Sequence, residues 1–136
     1  MQRILIRAMT LTALAALPFA ASARGLEGQW RNPKGSVVVK VTTCGGGEAY
    51  CATVVDASDK AKASARRAGT PRLIGTQILS DLKPTGNGTF KGRAFEPKRN
   101  IRAPATVRVV GPDTITVKGC IISGIICKQQ RWTRIG

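Results

Sequence analysis

The sequence contains no histidine, and aromatic and acidic residues are scarce. Aromatic side chains make up 4% of the 136 residues, and seven acidic residues stand against 22 lysines and arginines. Without histidine the chain lacks the commonest general base, the usual activation of serine or cysteine nucleophiles, and most catalytic zinc sites. Nothing in the sequence marks two of the carboxylates as a catalytic pair. We therefore expect a protein that is not an enzyme.

Long hydrophobic runs are also absent. Residues 1–23 begin with Arg3 and Arg7, continue with a short apolar stretch and end in an A-x-A site at Ala21–Ala23. This is the pattern of a cleaved signal peptide, and the stretch is shorter than the roughly 20 residues that a membrane span needs. An uncleaved anchor is the alternative. We expect periplasmic or secreted localisation, no transmembrane segment in the mature chain, and a single domain over residues 24–136.

The four cysteines form two pairs with the same spacing, Cys44-x6-Cys51 and Cys120-x6-Cys127. Each pair brackets a glycine-bearing stretch between apolar runs, which is typical of a hairpin closed by a local disulfide. Disulfides persist in oxidising compartments, in agreement with export. A structural zinc site is the alternative, but its ligands are usually two to four residues apart. We predict the disulfides Cys44–Cys51 and Cys120–Cys127, with no metal and no cofactor.

Short runs rich in β-branched residues recur along the mature chain, with turn signals between them. This pattern predicts an all-β fold and no helix of normal length. About eight strands follow, which we interpret as a single, mostly antiparallel β-barrel. The predicted strands are Leu26–Arg31, Ser36–Thr43, Tyr50–Ala57, Leu73–Leu79, Thr89–Phe95, Ala105–Val110, Thr114–Cys120 and Ile126–Ile135.

The segment Ala57–Arg72 interrupts the strand pattern and is rich in basic residues. One interpretation is a solvated loop with at most a helical turn after Ser58, and the other is an anion-binding flap. Interleaved aromatics, which single-stranded nucleic-acid sites use, are missing, so nucleic acid is not an expected partner. The candidate anion-binding residues are Lys60, Lys62, Arg66, Arg67 and Arg72.

Both tryptophans lie in strands that a barrel would bring together. Gly28-x-Trp30 opens the first strand, and Arg131-Trp132-x-Arg134 lies in the last. This arrangement resembles the calycin pattern, in which a tryptophan plugs one end of an eight-stranded barrel and a late arginine packs over its indole. Trp30 would be the structural plug and Arg131 or Arg134 its cover, a cation–π contact of about 1 kcal/mol. An ordinary core tryptophan is the alternative.

The whole mature chain also resembles a family of small exported bacterial proteins called domain of unknown function twenty-one forty-seven. The resemblance implies a lipocalin-like barrel and brings no catalytic residues. The chain departs from the family pattern at Phe90 and at Asn100–Ala103. The matching pieces are Gly28-x-Trp30, Cys44–Gly46 with Cys51, Pro71–Gly75, Gly92–Pro97, Asp113–Ile115, Gly119-Cys120, and Cys127 with Arg131–Arg134.

The sequence favours one function, by analogy of fold, and leaves a second as the alternative. The first is non-enzymatic binding of a small hydrophobic or amphipathic ligand inside the barrel, where scarce aromatics favour an acyl chain over a ring system. The interior side chains could instead fill a narrow barrel. The second is a cationic module that binds lipopolysaccharide, anionic lipid or a cell-wall polymer. Removal of the signal peptide with Arg3 and Arg7 lowers the formal net charge only from +15 to +13, which still attracts anionic surfaces. A protein inhibitor that uses the basic segment is a third, unsupported possibility.

Overall fold

The computed structural model describes residues 25–121 and 126–136 and shows a closed, eight-stranded antiparallel barrel. Each strand pairs with the next along the chain, and β8 closes the barrel on β1 through Trp30 and Arg134. The predicted fold class is therefore confirmed, whereas the predicted signal peptide lies outside the described residues. The elements are β1 Gly28–Arg31, β2 Val37–Cys44, β3 Ala49–Ala57, α1 Asp59–Ala68, β4 Gln77–Gly86, β5 Thr89–Glu96, β6 Ile101–Val109, β7 Thr114–Ile121 and β8 Ile126–Arg134.

The core lies inside the barrel and follows from the two-residue alternation of the strands. In β6, for example, Ala103, Ala105 and Val107 are buried, while Arg102 and Arg108 are exposed. Every strand contributes side chains to one hydrophobic cluster, and full burial of a Val or Leu side chain contributes about 1.5–3 kcal/mol. No polar or charged residue of the described ranges belongs to the buried set.

The two ends of the barrel are built from different connections, because consecutive strands run in opposite directions. We call the end formed by residues 25–27, 45–48, 87–88, 110–113 and 135–136 the sealed end. The opposite end is formed by residues 32–36, 58–76 and 97–100, and we call it the basic end.

The two predicted disulfides are confirmed and lie at opposite ends of the barrel. Cys44–Cys51 closes the β2–β3 hairpin at the sealed end, with 5.9 Å between the Cα atoms. Cys120–Cys127 joins β7 to β8 at the basic end, with 4.1 Å between the Cα atoms. Each disulfide therefore staples neighbouring strands.

The interpretation of Ala57–Arg72 as a loop with at most one helical turn was wrong, because this segment contains the ten-residue helix α1. The Ser58 side chain accepts a hydrogen bond from the Ala61 amide at 3.1 Å and caps the start of the helix. Gly69 ends it in the left-handed conformation, with φ 113°. Between the caps, four alanines supply the strongest helix propensity of any residue.

Helix α1 lies along the basic end and packs onto the core. Ala65 is 1% exposed and belongs to the hydrophobic cluster. The Ser58 amide donates to the Ser36 carbonyl at 2.9 Å, which ties the start of the helix to the β1–β2 turn. At its other end, a Cβ added to Gly69 would lie 4.0 Å from the Asn100 side chain in the β5–β6 turn. The start of the helix is therefore bonded to one turn of this end, and its last turn lies close to another.

The fourth strand was predicted too early in the chain, at Leu73–Leu79, with a loop at Pro84–Gly88. The strand instead begins at Gln77 and continues through Pro84 to Gly86. Proline is tolerated there because β4 residues beyond Leu82 have no partner on β3, so its missing amide hydrogen breaks no bond on that side.

A bulge in β4 restricts one position of the neighbouring strand β5 to glycine. The register between β4 and β5 shifts after Ser80, where Asp81 adopts φ 54°. A Cβ on Gly92 of β5 would lie 2.5 Å from the Ser80 carbonyl oxygen. Only glycine therefore fits at position 92 without moving the backbone of β4.

Candidate anion-binding site

The tryptophan predicted to plug the barrel is buried at the sealed end. Trp30 is 0% exposed, and its indole nitrogen donates to the Leu26 carbonyl at 3.0 Å. The Arg134 guanidinium lies over the indole ring, 4.3 Å from its centroid. Arg131, the other arginine considered for this role, is exposed and pairs with Thr116 on β7. The structure therefore brings Trp30 and Arg134 together and leaves Arg131 apart from them.

Arg134 also ties the chain terminus to two other segments of the sealed end. Its guanidinium donates to the carbonyls of Glu27, Gly25 at 2.7 Å and Pro112 at 3.1 Å. The Asp113 carboxylate lies 3.9 Å from its Nε. The Arg134 guanidinium thus contacts groups of the protein itself, which fits a structural role in closing the barrel.

The described interior of the barrel is filled by its own side chains. Trp132 is buried beside Ile115, its pairing partner on β7, and both belong to the hydrophobic cluster. Tyr50 and Phe90 meet edge to face, with ring centroids 5.6 Å apart, and pack against the same cluster. Of the five aromatic residues between positions 24 and 136, Trp30, Tyr50, Phe90 and Trp132 therefore pack against one another or the aliphatic core, which favours the filled interior left open by the sequence. The fifth, Phe95, lies outside this cluster, under the Arg102 guanidinium.

The connections at the two ends of the barrel carry opposite charge. The connections of the sealed end contain Glu27, Glu48 and Asp113 and no lysine or arginine within the described ranges. The connections of the basic end contain a single acidic residue, Asp59, against eight basic ones. These basic residues are Lys34, Lys60, Lys62, Arg66, Arg67, Arg72, Lys98 and Arg99.

The five predicted anion-binding residues all lie at the basic end, but they form two groups. Lys62, Arg66 and Arg72 line one side of α1, around a cleft of about 210 Å³ that we call the helix cleft. Lys60 and Arg67 are seven residues apart, so they share the other flank of the helix. None of the five forms an ion pair within the described part of the chain.

The helix cleft combines these cations with apolar side chains. Its other lining residues are Pro71, Leu73 and Ile74. Leu73 is buried in the core cluster, whereas Ile74 is 46% exposed and supplies an apolar surface at the cleft. An amphiphile with an anionic head could place its charge on the cations and its first apolar groups on Ile74.

A second cleft, on the outward face of β4, β5 and β6, was missed by the sequence analysis. It measures about 370 Å³, and we call it the sheet cleft. The two-residue alternation of β5 places Arg93 and Phe95 on one face, but Arg102 lies before Ala105, the predicted start of its strand. The residues that line the sheet cleft are Thr76, Gln77, Ile78, Ser80, Arg93, Ala94, Phe95 and Arg102.

No helix within residues 25–121 and 126–136 is long and apolar enough to span a membrane.

Among curated proteins, none matches the sequence significantly. One solved structure is similar, that of protein HP1028 from the human pathogen Helicobacter pylori, which is described as belonging to the lipocalin family. It is 18% identical, with a TM-score of 0.64 over 82% of this chain and 83% of that one. At this identity the likeness shows the fold alone.

The family comparison covers nearly all of the barrel. The profile of DUF2147, described as an uncharacterized protein conserved in bacteria, matches residues 28–134. The match runs from Gly28, two residues before Trp30, to Arg134 and so includes both residues of the sealed-end contact. The chain belongs to this family of bacterial proteins, DUF2147.

Proposed function

We propose that this protein is a non-enzymatic binding protein of the bacterial cell envelope. Its ligand is an anionic amphiphile, such as an anionic lipid or lipopolysaccharide, which it binds through the basic end. The observation that supports this most strongly is the distribution of charge, with eight basic residues and one acidic residue in the connections of one end. The proposed location is the periplasm or the cell exterior, which the two disulfides support because such bonds persist in oxidising compartments.

The charge distribution gives the protein a preferred orientation toward an anionic surface. An acidic end opposite a basic end makes the molecule an electrostatic dipole along the barrel axis, which steers its approach. Each lysine or arginine close to an anionic membrane contributes about 1 kcal/mol. The exposed Ile74 adds an apolar contact once the surface is reached.

Binding of a small apolar ligand inside the barrel is the second candidate. The lipocalin-like barrel favours it, because such barrels can enclose a ligand. The packed interior around Val107 and Ile115, which are 0% and 1% exposed, weighs against it. This candidate predicts binding that does not depend on the charges of the basic end.

The proposal is tested with vesicles that contain phosphatidylglycerol in phosphatidylcholine. A variant with all five candidate residues changed to Gln should bind these vesicles more than tenfold more weakly, since each of these residues that lies close to the surface contributes about 1 kcal/mol and two such contributions already exceed a factor of ten. The substituted residues are Lys60, Lys62, Arg66, Arg67 and Arg72.

The matched control removes the same charge from the exposed wall of the barrel. A strand of eight residues is about 26 Å long, so mid-wall charges lie beyond the Debye length of about 8 Å when the basic end touches the surface. The control should therefore lose less than threefold. Equal losses in both variants would contradict the proposal, and binding that survives both would favour a ligand inside the barrel. The control residues are Lys40, Lys91, Arg108, Lys118 and Arg131.

A further inference from the structure

We propose that the sheet cleft is a separate binding site for an oxyanion carried by a saccharide unit, either a phosphomonoester or a carboxylate. The site lies on the outward face of the barrel, next to the basic end. Thr76, which lines it, donates its hydroxyl to the carbonyl of Arg72 at 2.6 Å. This proposal does not rest on the proposed function of the helix cleft.

Two arginines of neighbouring strands converge on the sheet cleft. Arg93 of β5 is paired with Pro104 of β6, and Arg102 of β6 is paired with Phe95 of β5. The two arginines are therefore diagonal neighbours on one face of the sheet, about 7–8 Å apart. Both guanidinium groups can reach a single anion from that distance.

The acidic residues near these strands are already paired with other cations. Asp81 lies 3.6 Å from Lys83, and Glu96 lies 3.8 Å from both Arg99 and Lys128. Within the described ranges, Arg93 and Arg102 have neither an ion pair nor a side-chain hydrogen bond. Their charges are therefore uncompensated by the protein.

Stacking holds one of the two guanidinium groups in position. The Arg102 guanidinium lies over the Phe95 ring, 4.3 Å from its centroid. A stacked guanidinium uses its face for this contact and keeps its in-plane N–H groups available, which match the two oxygens of a carboxylate or phosphoryl group. The geometry thus prepares Arg102 for an oxyanion before any ligand arrives.

The remaining lining residues indicate what carries the oxyanion. Gln77 and Ser80 offer neutral amide and hydroxyl groups, and Thr76, whose hydroxyl hydrogen is donated to the Arg72 carbonyl, offers an acceptor oxygen. A hydroxyl-rich saccharide would satisfy their hydrogen bonds, whereas an acyl chain would leave them unpaired at a cost in affinity. The volume of about 370 Å³ lies at the lower end of the range for small-molecule sites, which suits one saccharide unit.

The test is isothermal titration calorimetry at physiological salt with glucose 6-phosphate, glucuronate and uncharged glucose. At least one charged sugar should bind at least tenfold more tightly than glucose, because charge-assisted hydrogen bonds are the stronger ones. The sugar that binds distinguishes a phosphoryl from a carboxyl ligand. If neither charged sugar binds more tightly than glucose, the proposal is wrong.

Matched double variants locate the site. The double variant Arg93→Gln and Arg102→Gln should bind the charged sugar at least tenfold more weakly. The control double variant, Lys91→Gln and Arg108→Gln, removes two outward cations of the same strands and should change the affinity less than threefold. Equal losses would mean diffuse attraction and would overturn the proposal. Circular dichroism verifies that each variant is folded. If the double variant unfolds, two measurements replace it: sugar binding by the Arg93→Lys variant, and chemical-shift mapping of the charged sugar on the unsubstituted protein.

The same experiment separates this site from the helix cleft. The five-site variant of the basic end keeps Arg93 and Arg102, so it should retain binding of the charged sugar within about threefold. Loss of vesicle binding with retained sugar binding supports both sites. If the unsubstituted protein binds the sugar but not the vesicles, the sheet cleft is supported and the proposed function is contradicted. If the five-site variant loses sugar binding, the proposal for the sheet cleft is overturned.

Discussion

At the scale of single residues, one arginine holds the sealed end of the barrel together. Arg134 stacks on Trp30 and donates to carbonyls of the N-terminal segment and the β6–β7 turn, and its side chain is 5% exposed. Arg131 is three residues earlier on the same strand and is exposed. The two arginines of one short motif therefore have very different surroundings.

Replacing Arg134 by Gln should lower the free energy of unfolding by about 2–4 kcal/mol. The substitution leaves the carbonyls of Gly25 and Pro112 without their charged donor and removes the contact with Trp30. Arg131→Gln is the matched control and should cost less than about 0.5 kcal/mol. Urea unfolding followed by tryptophan fluorescence measures both, and equal losses would mean that the contact with Trp30 is unimportant for stability.

At the scale of elements, the sequence predicted strands better than it predicted the helix and the fourth strand. Strand alternation and the spacing of the cysteines depend on local sequence, so seven strand positions and both disulfides could be placed. The basic composition of Ala57–Arg72 obscured the cap at Ser58 and the alanine face of α1. Strand β4 was misplaced because Leu73 is buried beside the helix and not in a strand, which only the tertiary structure decides.

The candidate sites show the same division. The five basic residues near α1 could be named from composition, but their separation into two flanks needed the helix. The sheet cleft depends on the register of β5 with β6, which pairs Phe95 with Arg102. Sequence patterns within one strand carry no information about that register.

Each disulfide should stabilise the barrel through the small loop that it closes. For a sequence separation of seven residues, the chain-entropy model gives about 2–3 kcal/mol per bridge. Changing Cys44 and Cys51 together to Ser should therefore lower the free energy of unfolding by that amount. Peptide mapping without reduction provides the check on connectivity, and a peptide linking Cys44 to Cys120 or Cys127 would contradict the local pairing.

At the scale of the whole molecule, the structural contact at one end of the barrel and the candidate binding residues at the other lie far apart. At the sealed end, the Arg134 guanidinium packs on Trp30, and the charged residues of the connections are all acidic. The basic end carries α1, the helix cleft and most of the charged connections. In the proposed function, a packed barrel with opposite charges in the connections at its two ends would be a rigid support that presents one end to an anionic partner.

Hydrogen exchange measured by mass spectrometry, with and without phosphatidylglycerol vesicles, tests this central claim most directly. Contact through the basic end should slow amide exchange in residues 58–76 and 97–100, while residues 45–48 and 110–113 at the sealed end keep their rates. The ordering follows from the charges, since the first set includes seven basic residues and the second none. Protection of the sealed end, or equal protection of both ends, would contradict the account.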